Sequence, residues 1–475
     1  MRVIPTVQHE IEKKIDKTTA DVEQSLNCHE FFNNRTILKN EGSYPKNIIS
    51  TMKNMLNVEN KIVNKNKVSG TIYSFDVDHN RLLEQVFPLF NKTNPLHPDI
   101  FLSVRKMETD IIHICKNLTN GYSHARGNIT SGGTESILCA MRAYRERSKD
   151  KLGVTCPEMI VFHGAHAAFD KSADYFKIKL IRIPPELSEN DRIRMMKDMI
   201  TRNTICVVAS APEFANGLMD NIHKIAEVCL EYKVPLHVDA CLGGFILPFI
   251  NTRHSWNFAL EGVTSISMDL HKYAYCPKGI SIILYRSREY SDYSGFVKED
   301  WNGGIYATHS TMGSRCGNIV AQSWATLMYY GIDGYKLKAN KIQQAVIKIR
   351  DEFRYRDDIY VIGEPDVCVV AFASHTLDIY KINDKMKANG WFLNELQYPA
   401  AIHICVTQNH IPYIEQFIID LNRAIGQVRD EQNQDINGLE GDTGEGASIY
   451  GTAQKVSDRR IVKQITINYL DLLYK

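Results

Sequence analysis

The 475-residue sequence predicts an α/β protein with a large, mostly parallel-sheet domain and a smaller C-terminal α+β domain. Three observations carry this. Between residues 158 and 286, short apolar runs alternate with amphipathic ones, the pattern of strands and covering helices in a parallel sheet. Two of those runs end in reactive groups: Val234, Leu236 and Val238 lead to Asp239, while Ile266 and Met268 lead to Asp269, His271 and Lys272. After Asp333 the pattern turns to mixed helices and strands through Leu421.

Composition narrows the class. With 44% apolar and 23% charged residues the chain can bury a large core. A net charge of +1 argues against a nucleic-acid or other polyanion partner, and the basic run Lys61–Lys67 reads as a solvated face or linker. Eleven cysteines, an odd number without a C-x-x-C pair, fit buried thiols in a reducing, cytoplasmic compartment rather than a disulfide framework. The first residues lack the apolar core of a secretory leader, and no stretch reaches the roughly 20 apolar residues that span a bilayer, so a soluble protein without a transmembrane segment is expected.

Three domains are expected: 1–67, an N-terminal arm and helices packing on the main body or a second subunit; 68–332, the large domain; and 333–475, the small domain. Residues 8–40 carry Ile11, Ile15, Val22 and Leu26 at the spacing of a thin amphipathic helix. Helices are predicted over 48–56, 81–90 and 101–118, the last with Val104, Met107, Ile111, Ile114 and Leu118 on one side. Pro95 and Pro98 fix the loop that presents His97, a residue type found in such turns both as structure and as function. Strands are predicted over 159–162, 179–183 and 205–209, with helices over 167–176, 192–201 and 222–232 between and after them; 280–285 is a further strand. Residues 429–446, acidic and rich in Gly, are expected to be flexible.

The chemistry follows from the strand ends, because ligands of open α/β sheets sit at the carboxyl ends of the strands. A lysine on one end and a carboxylate on a neighbouring one are what pyridoxal phosphate needs: the amine to hold its aldehyde as a Schiff base, the acid to keep its ring nitrogen protonated. Solvated loop residues would look the same in isolation. Lys272, however, is enclosed between an apolar strand and Tyr273–Gly279, and desolvation there is expected to lower its pKa. Ser131-Gly-Gly-Thr134 opens the helix that carries Ile137–Tyr144, and unpaired N–H groups at such a start can cradle a phosphate, although the same string also suits a plain cap. His163 and His166 follow the first strand of the alternation, where one could stack on the coenzyme ring. The glycine-rich loop Met312–Gly317 could also face an anion.

Longer strings carry a more specific resemblance. Asn94-Pro-Leu-His-Pro-Asp-Ile-Phe101, Thr130-Ser-Gly-Gly-Thr-Glu-Ser-Ile137, Ala165-His-Ala-Ala-Phe169, His237-Val-Asp-Ala-Cys-Leu-Gly-Gly-Phe245, Gly303-Gly-Ile-Tyr-Ala307 and Ile449-Tyr-Gly451 resemble the sphingosine-1-phosphate lyases. That family belongs to the group II pyridoxal-phosphate decarboxylases and has the aspartate-aminotransferase-like fold. The resemblance runs from about Glu41 to the C-terminus. It implies that Lys272 forms the Schiff base, Asp239 pairs with the ring nitrogen and His166 stacks on the ring. It further implies that Gly133, Thr134 and His271 hold the coenzyme phosphate, with Gly313 and Ser314 contributed by the second subunit of a homodimer. Tyr73, His97 and Lys278 match positions that bind the substrate phosphate or move protons. The implied reaction is cleavage of the C2–C3 bond of a phosphorylated sphingoid base, with no metal. The chain departs from the family at Ala274, Cys276 and Cys316, which stand where a glycine, an alanine and a proline are common. An amino-acid decarboxylase using the same Asp239 and Lys272 is the alternative, and an inactive binding protein on the same fold is a third reading.

Overall fold

The computed structural model describes residues 19–20, 38, 40–62, 65–252, 254–435 and 459–473, and these form two compact units. The larger unit comprises Val68–Thr376 and Ile402–Asp420. Its sheet is built from β1 (Arg126–Thr130), β2 (Glu158–Phe162), β3 (Lys179–Ile183), β4 (Thr204–Ser210), β5 (Leu236–Ala240), β6 (Val263–Met268) and β7 (Ser281–Tyr285), in the order β1-β7-β6-β5-β4-β2-β3. From β3 across to β6 every pair is parallel, and β7 runs antiparallel to both β6 and β1. β2, β4, β5, β6 and β7 are buried at every position, which is why β2, β4 and β7 read as largely continuous apolar runs, while β5 and β6 alternate apolar residues with buried polar ones.

Helices cover the sheet where the amphipathic runs predict them. Ser188 caps Glu189–Asp198 by accepting from the Asp191 amide, and Asn221 caps Ile222–Tyr232 by accepting from the Lys224 amide. The helix Gly133–Leu152 lays Ile137, Met141 and Tyr144 into a core with Phe169, Val161, Val208, Ile283 and Tyr285. Each of these large side chains contributes about 1.5–3 kcal/mol by leaving water. The same helix closes one face of the sheet over β1, β4, β6 and β7. Further along, Gly317–Phe353 is a helix pair joined at Gly331, whose φ of 56° only glycine adopts freely. The hairpin Phe296–Trp301 and Gly304–Thr308 is solvent-exposed throughout its first strand. Strands Val369–Ala373 and Ala401–Cys405 lie side by side in a second sheet.

The smaller unit comprises the described residues of 1–67, 377–401 and 421–475. Asp378 caps the helix Ile379–Ala388 through the amides of Tyr380 and Lys381, and Trp391 is fully buried beneath the Lys67 ammonium, 4.9 Å from its ring centre. Residues 429–435, the start of the stretch expected to be flexible, continue the helix Ile414–Asp435. The rest of that stretch and residues 8–18 and 21–37 of the amphipathic arm lie outside the described residues. No helix among the described residues is long and apolar enough to cross a membrane.

Candidate active site

The site is assembled at the carboxyl ends of β5 and β6. These strands are parallel neighbours with Asp239 opposite Ser267 and Ala240 opposite Met268, so the loop that leaves β6 brings Asp269, His271 and Lys272 to the end of β5. The Lys272 ammonium lies 2.9 Å from the Asp269 carboxylate. Asp269 also accepts from the Ser281 hydroxyl at 2.5 Å and faces His271 Nε2 at 3.6 Å. Asp239, 7% exposed, accepts the Ser267 hydroxyl at 3.0 Å and the Cys241 amide at 3.1 Å, both at Oδ1.

Two carboxylates thus flank one lysine, and their roles differ. Burial works against the charged form of Lys272, but Asp269 outweighs it and Lys272 is raised above the ordinary lysine value. This reverses the direction expected from enclosure alone, because the sequence shows Asp269 nearby but not the turn that sets its carboxylate against Lys272. Asp269 answers in kind: burial opposes its charge, yet Lys272, His271 and Ser281 hold it below the usual carboxylate range. Without coenzyme, therefore, Lys272 is an ammonium clamped by Asp269. The Cys241 thiol beside both acids is pushed up by burial first and by their charges second.

Next to this pair lies the start of the helix Gly133–Leu152. Its N-cap, Gly132, offers no side-chain cap, and Glu135 reaches back to the Ser131 amide at 2.6 Å. A Cβ on Gly133 would come within 2.7 Å of Cys241 Sγ and 2.9 Å of Asp269 Oδ1, and one on Gly132 would sit 3.5 Å from His271. The helix start therefore has no side-chain cap and packs against Asp269, the partner of Lys272, with His271 on its edge, and these residues fit the phosphate and aldehyde ends of pyridoxal phosphate. Gly133→Ala is expected to weaken coenzyme binding about 10- to 100-fold, the scale of forcing a methyl into a packed site, measured by fluorescence titration of the apoprotein.

The structure brings Tyr73 and Lys278 to the same place. Lys278 lies 4.6 Å from the Tyr73 ring centre and donates to the His271 carbonyl at 3.2 Å. Desolvation and the Lys272 charge push Lys278 below the ordinary lysine value. Tyr73 packs edge-on against Tyr273, at 4.9 Å, and burial raises its hydroxyl. Tyr273, which the sequence did not single out, donates to the Val406 carbonyl at 2.8 Å. His166 is exposed, takes the Ala168 amide on Nδ1 at 3.1 Å, and meets Phe214 edge-on. Thr134 follows Gly133 in the first turn of the helix.

His97, Gly313 and Ser314 are not brought to Lys272 by any recorded contact. His97 is exposed in a turn whose Asn94 binds the Ser314 hydroxyl at 3.0 Å and the Arg315 amide at 3.1 Å. These residues form a cluster of their own.

Residues 91–375 match the pyridoxal-dependent decarboxylase conserved domain. The chain is 40% identical to rat sphingosine-1-phosphate lyase 1 over 86% of its own length and 72% of that protein's. It is 37% identical to the Arabidopsis thaliana sphingosine-1-phosphate lyase over 100% of its length and 87% of that protein's. Among solved structures, the sphingosine-1-phosphate lyase of Burkholderia pseudomallei superposes with a TM-score of 0.79 at 32% identity, covering 85% of this chain and 95% of that one. Glutamate decarboxylase from Lactobacillus brevis, 20% identical with a TM-score of 0.72 over 83% of this chain and 95% of its own, shares the fold. A lysine and two acids converging beside an uncapped helix start, together with this breadth of identity, place the chain in the sphingosine-1-phosphate lyase family of pyridoxal-phosphate-dependent enzymes.

Proposed function

We propose that the protein cleaves the C2–C3 bond of phosphorylated sphingoid bases, sphingosine-1-phosphate among them, releasing a long-chain aldehyde and phosphoethanolamine. The observation that carries this is the pair Tyr73 and Lys278, a cation set over a phenol ring and held to the His271 carbonyl of the loop that carries Lys272. A coenzyme needs one phosphate site; this is a second place that suits an anion. When bound, the coenzyme supplies an electron-accepting ring conjugated to the substrate amine. The chain's own side chains do the rest. Lys272 would hold the coenzyme aldehyde, and Asp239 would pair with its ring nitrogen. Gly133, Thr134 and His271 would hold the coenzyme phosphate, and His166 would cover the ring. Lys278 and Tyr73 fix the substrate phosphate, so that binding energy from the headgroup orients the bond to be broken. Tyr73, together with His97 offered by the second subunit, would move the hydroxyl proton.

The active unit in this reading is a homodimer. Its support is the turn at Asn94, which carries His97 and binds the Ser314 hydroxyl and the Arg315 amide in the loop just after Gly313, as residues offered to a second site would. A cytoplasmic location is part of the same reading, supported by ten free cysteines among the described residues, eight of them buried.

The experiment is a product assay on purified protein with sphingosine-1-phosphate and with a panel of amino acids. Aldehyde release from the lipid is the expected result; carbon dioxide from an amino acid without aldehyde overturns the proposal in favour of a decarboxylase. Lys278→Ala should raise KM for the phosphorylated base about tenfold or more, the scale of losing one charge-assisted hydrogen bond, while coenzyme absorbance stays at the wild-type level.

A further inference from the structure

Behind Asp239, on the side away from the ligand, a line of buried side chains runs through the core. Ser267 Oγ meets Asp239 Oδ1 at 3.0 Å and His237 Nε2 at 3.2 Å. His237 Nδ1 meets Ser265 Oγ at 2.7 Å, and Ser265 meets the Tyr144 hydroxyl at 2.5 Å. Tyr144 meets Thr264 Oγ1 at 2.7 Å, and Thr264 reaches the Leu236 carbonyl at 2.9 Å. His237, Ser265, Ser267 and Tyr144 are fully buried, and Thr264 is 7% exposed. The line exists because His237 and Asp239 on β5 stand opposite Ser265 and Ser267 on β6, on one face of the sheet, under the helix that carries Tyr144.

Proton counting constrains this line. Its ends, the Asp239 carboxylate and the Leu236 carbonyl, are both acceptors, and six contacts separate them. Burial pushes His237 down to about 4, against the opposing pull of the Asp239 charge, so its ring is neutral near pH 7.5 and carries one proton. Thr264, Tyr144, Ser265, His237 and Ser267 then hold one movable proton each, one fewer than the contacts to be filled. An ionised Asp239 attracts every donor dipole. The line then runs Thr264 to Tyr144 to Ser265 to His237 Nδ1, and from His237 Nε2–H to Ser267 to Asp239, leaving only the Leu236 end unfilled. With the charge removed from Asp239 the preference reverses: Thr264 returns to the Leu236 carbonyl and the proton of His237 moves to Nδ1. Neighbouring hydrogen bonds polarise one another in a dry interior, so the line flips as a unit.

We propose that His237, Ser267 and Ser265 are positioning residues whose hydrogen-bond direction is set by the charge on Asp239, and that this direction holds the proton on the coenzyme ring nitrogen rather than on the acid. The link to the coenzyme rests on the functional reading above; the direction of the line does not, and is tested without coenzyme. In apoprotein carrying 15N-histidine, with the His237 signal assigned from the spectrum of His237→Gln, the ring is expected to be neutral and protonated on Nε2 at pH 7.5. Asp239→Asn and Ser267→Ala, each sufficient if the other fails to fold, are expected to move that proton to Nδ1. A wild-type Nδ1–H ring, or an Nε2–H ring unchanged in a folded variant, overturns the proposal. In protein loaded with coenzyme labelled at the ring nitrogen, Ser267→Ala should shift the 15N signal toward the unprotonated value and Ser267→Thr, which keeps the hydroxyl, should not. A wild-type signal in Ser267→Ala also overturns it. Failure of wild-type protein to bind the coenzyme would instead sink the functional reading and leave the tautomer result standing.

Discussion

Lys272→Ala is expected to abolish the absorbance band of bound coenzyme and to lower turnover of sphingosine-1-phosphate by more than about 10³-fold, the scale on which loss of a nucleophile is felt. The reason is geometric. Lys272 holds its amine 2.9 Å from the Asp269 carboxylate, and the Asp239 charge also favours its ammonium. Lys278 does not stand in for it, because its ammonium is turned onto the Tyr73 ring and the His271 carbonyl. An absorbance spectrum of the purified variant with added coenzyme, alongside aldehyde release, checks both halves. A variant that keeps normal turnover defeats the assignment.

Asp269→Asn carries the second large effect, and its sign differs between stability and reactivity. In the apoprotein the Asp269 carboxylate is depressed and the Lys272 ammonium raised. The depressed acid contributes stability that is present above its unfolded value, near 3.9, and is lost as pH falls through the folded one. The raised lysine contributes below its unfolded value, near 10.4, and that is lost as pH rises through the folded one. Between about pH 4 and 10 the variant should therefore be less stable by up to about 3–5 kcal/mol, the cost of leaving one member of a buried pair alone, and less than that where Lys272 escapes by losing its proton. Losing the proton is what Schiff-base formation requires. Each unit by which the Lys272 pKa falls raises the neutral amine about tenfold at neutral pH, so coenzyme should couple faster to the variant than to wild type, most clearly below pH 8. Thermal melts across pH and stopped-flow absorbance read the two effects separately. Slower coupling in the variant would show that Asp269 assists the amine instead of holding its proton.

The elements most easily read from sequence were those whose physics is local. β2, β4 and β7 are short, largely apolar and β-branched runs buried on both faces, and they stand within a residue of their predicted bounds. β1 is Arg-Gly-Asn-Ile-Thr, buried only at its last two positions, and it is a strand because β7 pairs with it antiparallel; no local pattern announces that. The helix pair Gly317–Phe353 runs through the boundary expected at 332 and 333, since its interruption is a single glycine rather than a change of composition.

The site shows the same division. Asp239, Lys272 and the glycines at 132 and 133 were legible because each ends a strand or opens a helix. The pairing of Lys272 with Asp269 was not: the Asp-x-x-Lys spacing is visible, but choosing between two acids needs the turn that folds Lys272 back over β6. His237 and Ser265 stand 28 residues apart, and only the register of β5 on β6 brings their side chains to 2.7 Å. Tyr73 and Lys278 meet across still longer separation, and a motif match located them before any contact could.

Borohydride reduction of the coenzyme-loaded protein, followed by peptide mass mapping, fixes the coenzyme to whichever amine holds it. A single pyridoxyl adduct on Lys272 is expected; an adduct on Lys278 or another lysine, or a loaded protein that yields none, would rule out Lys272 as the anchor.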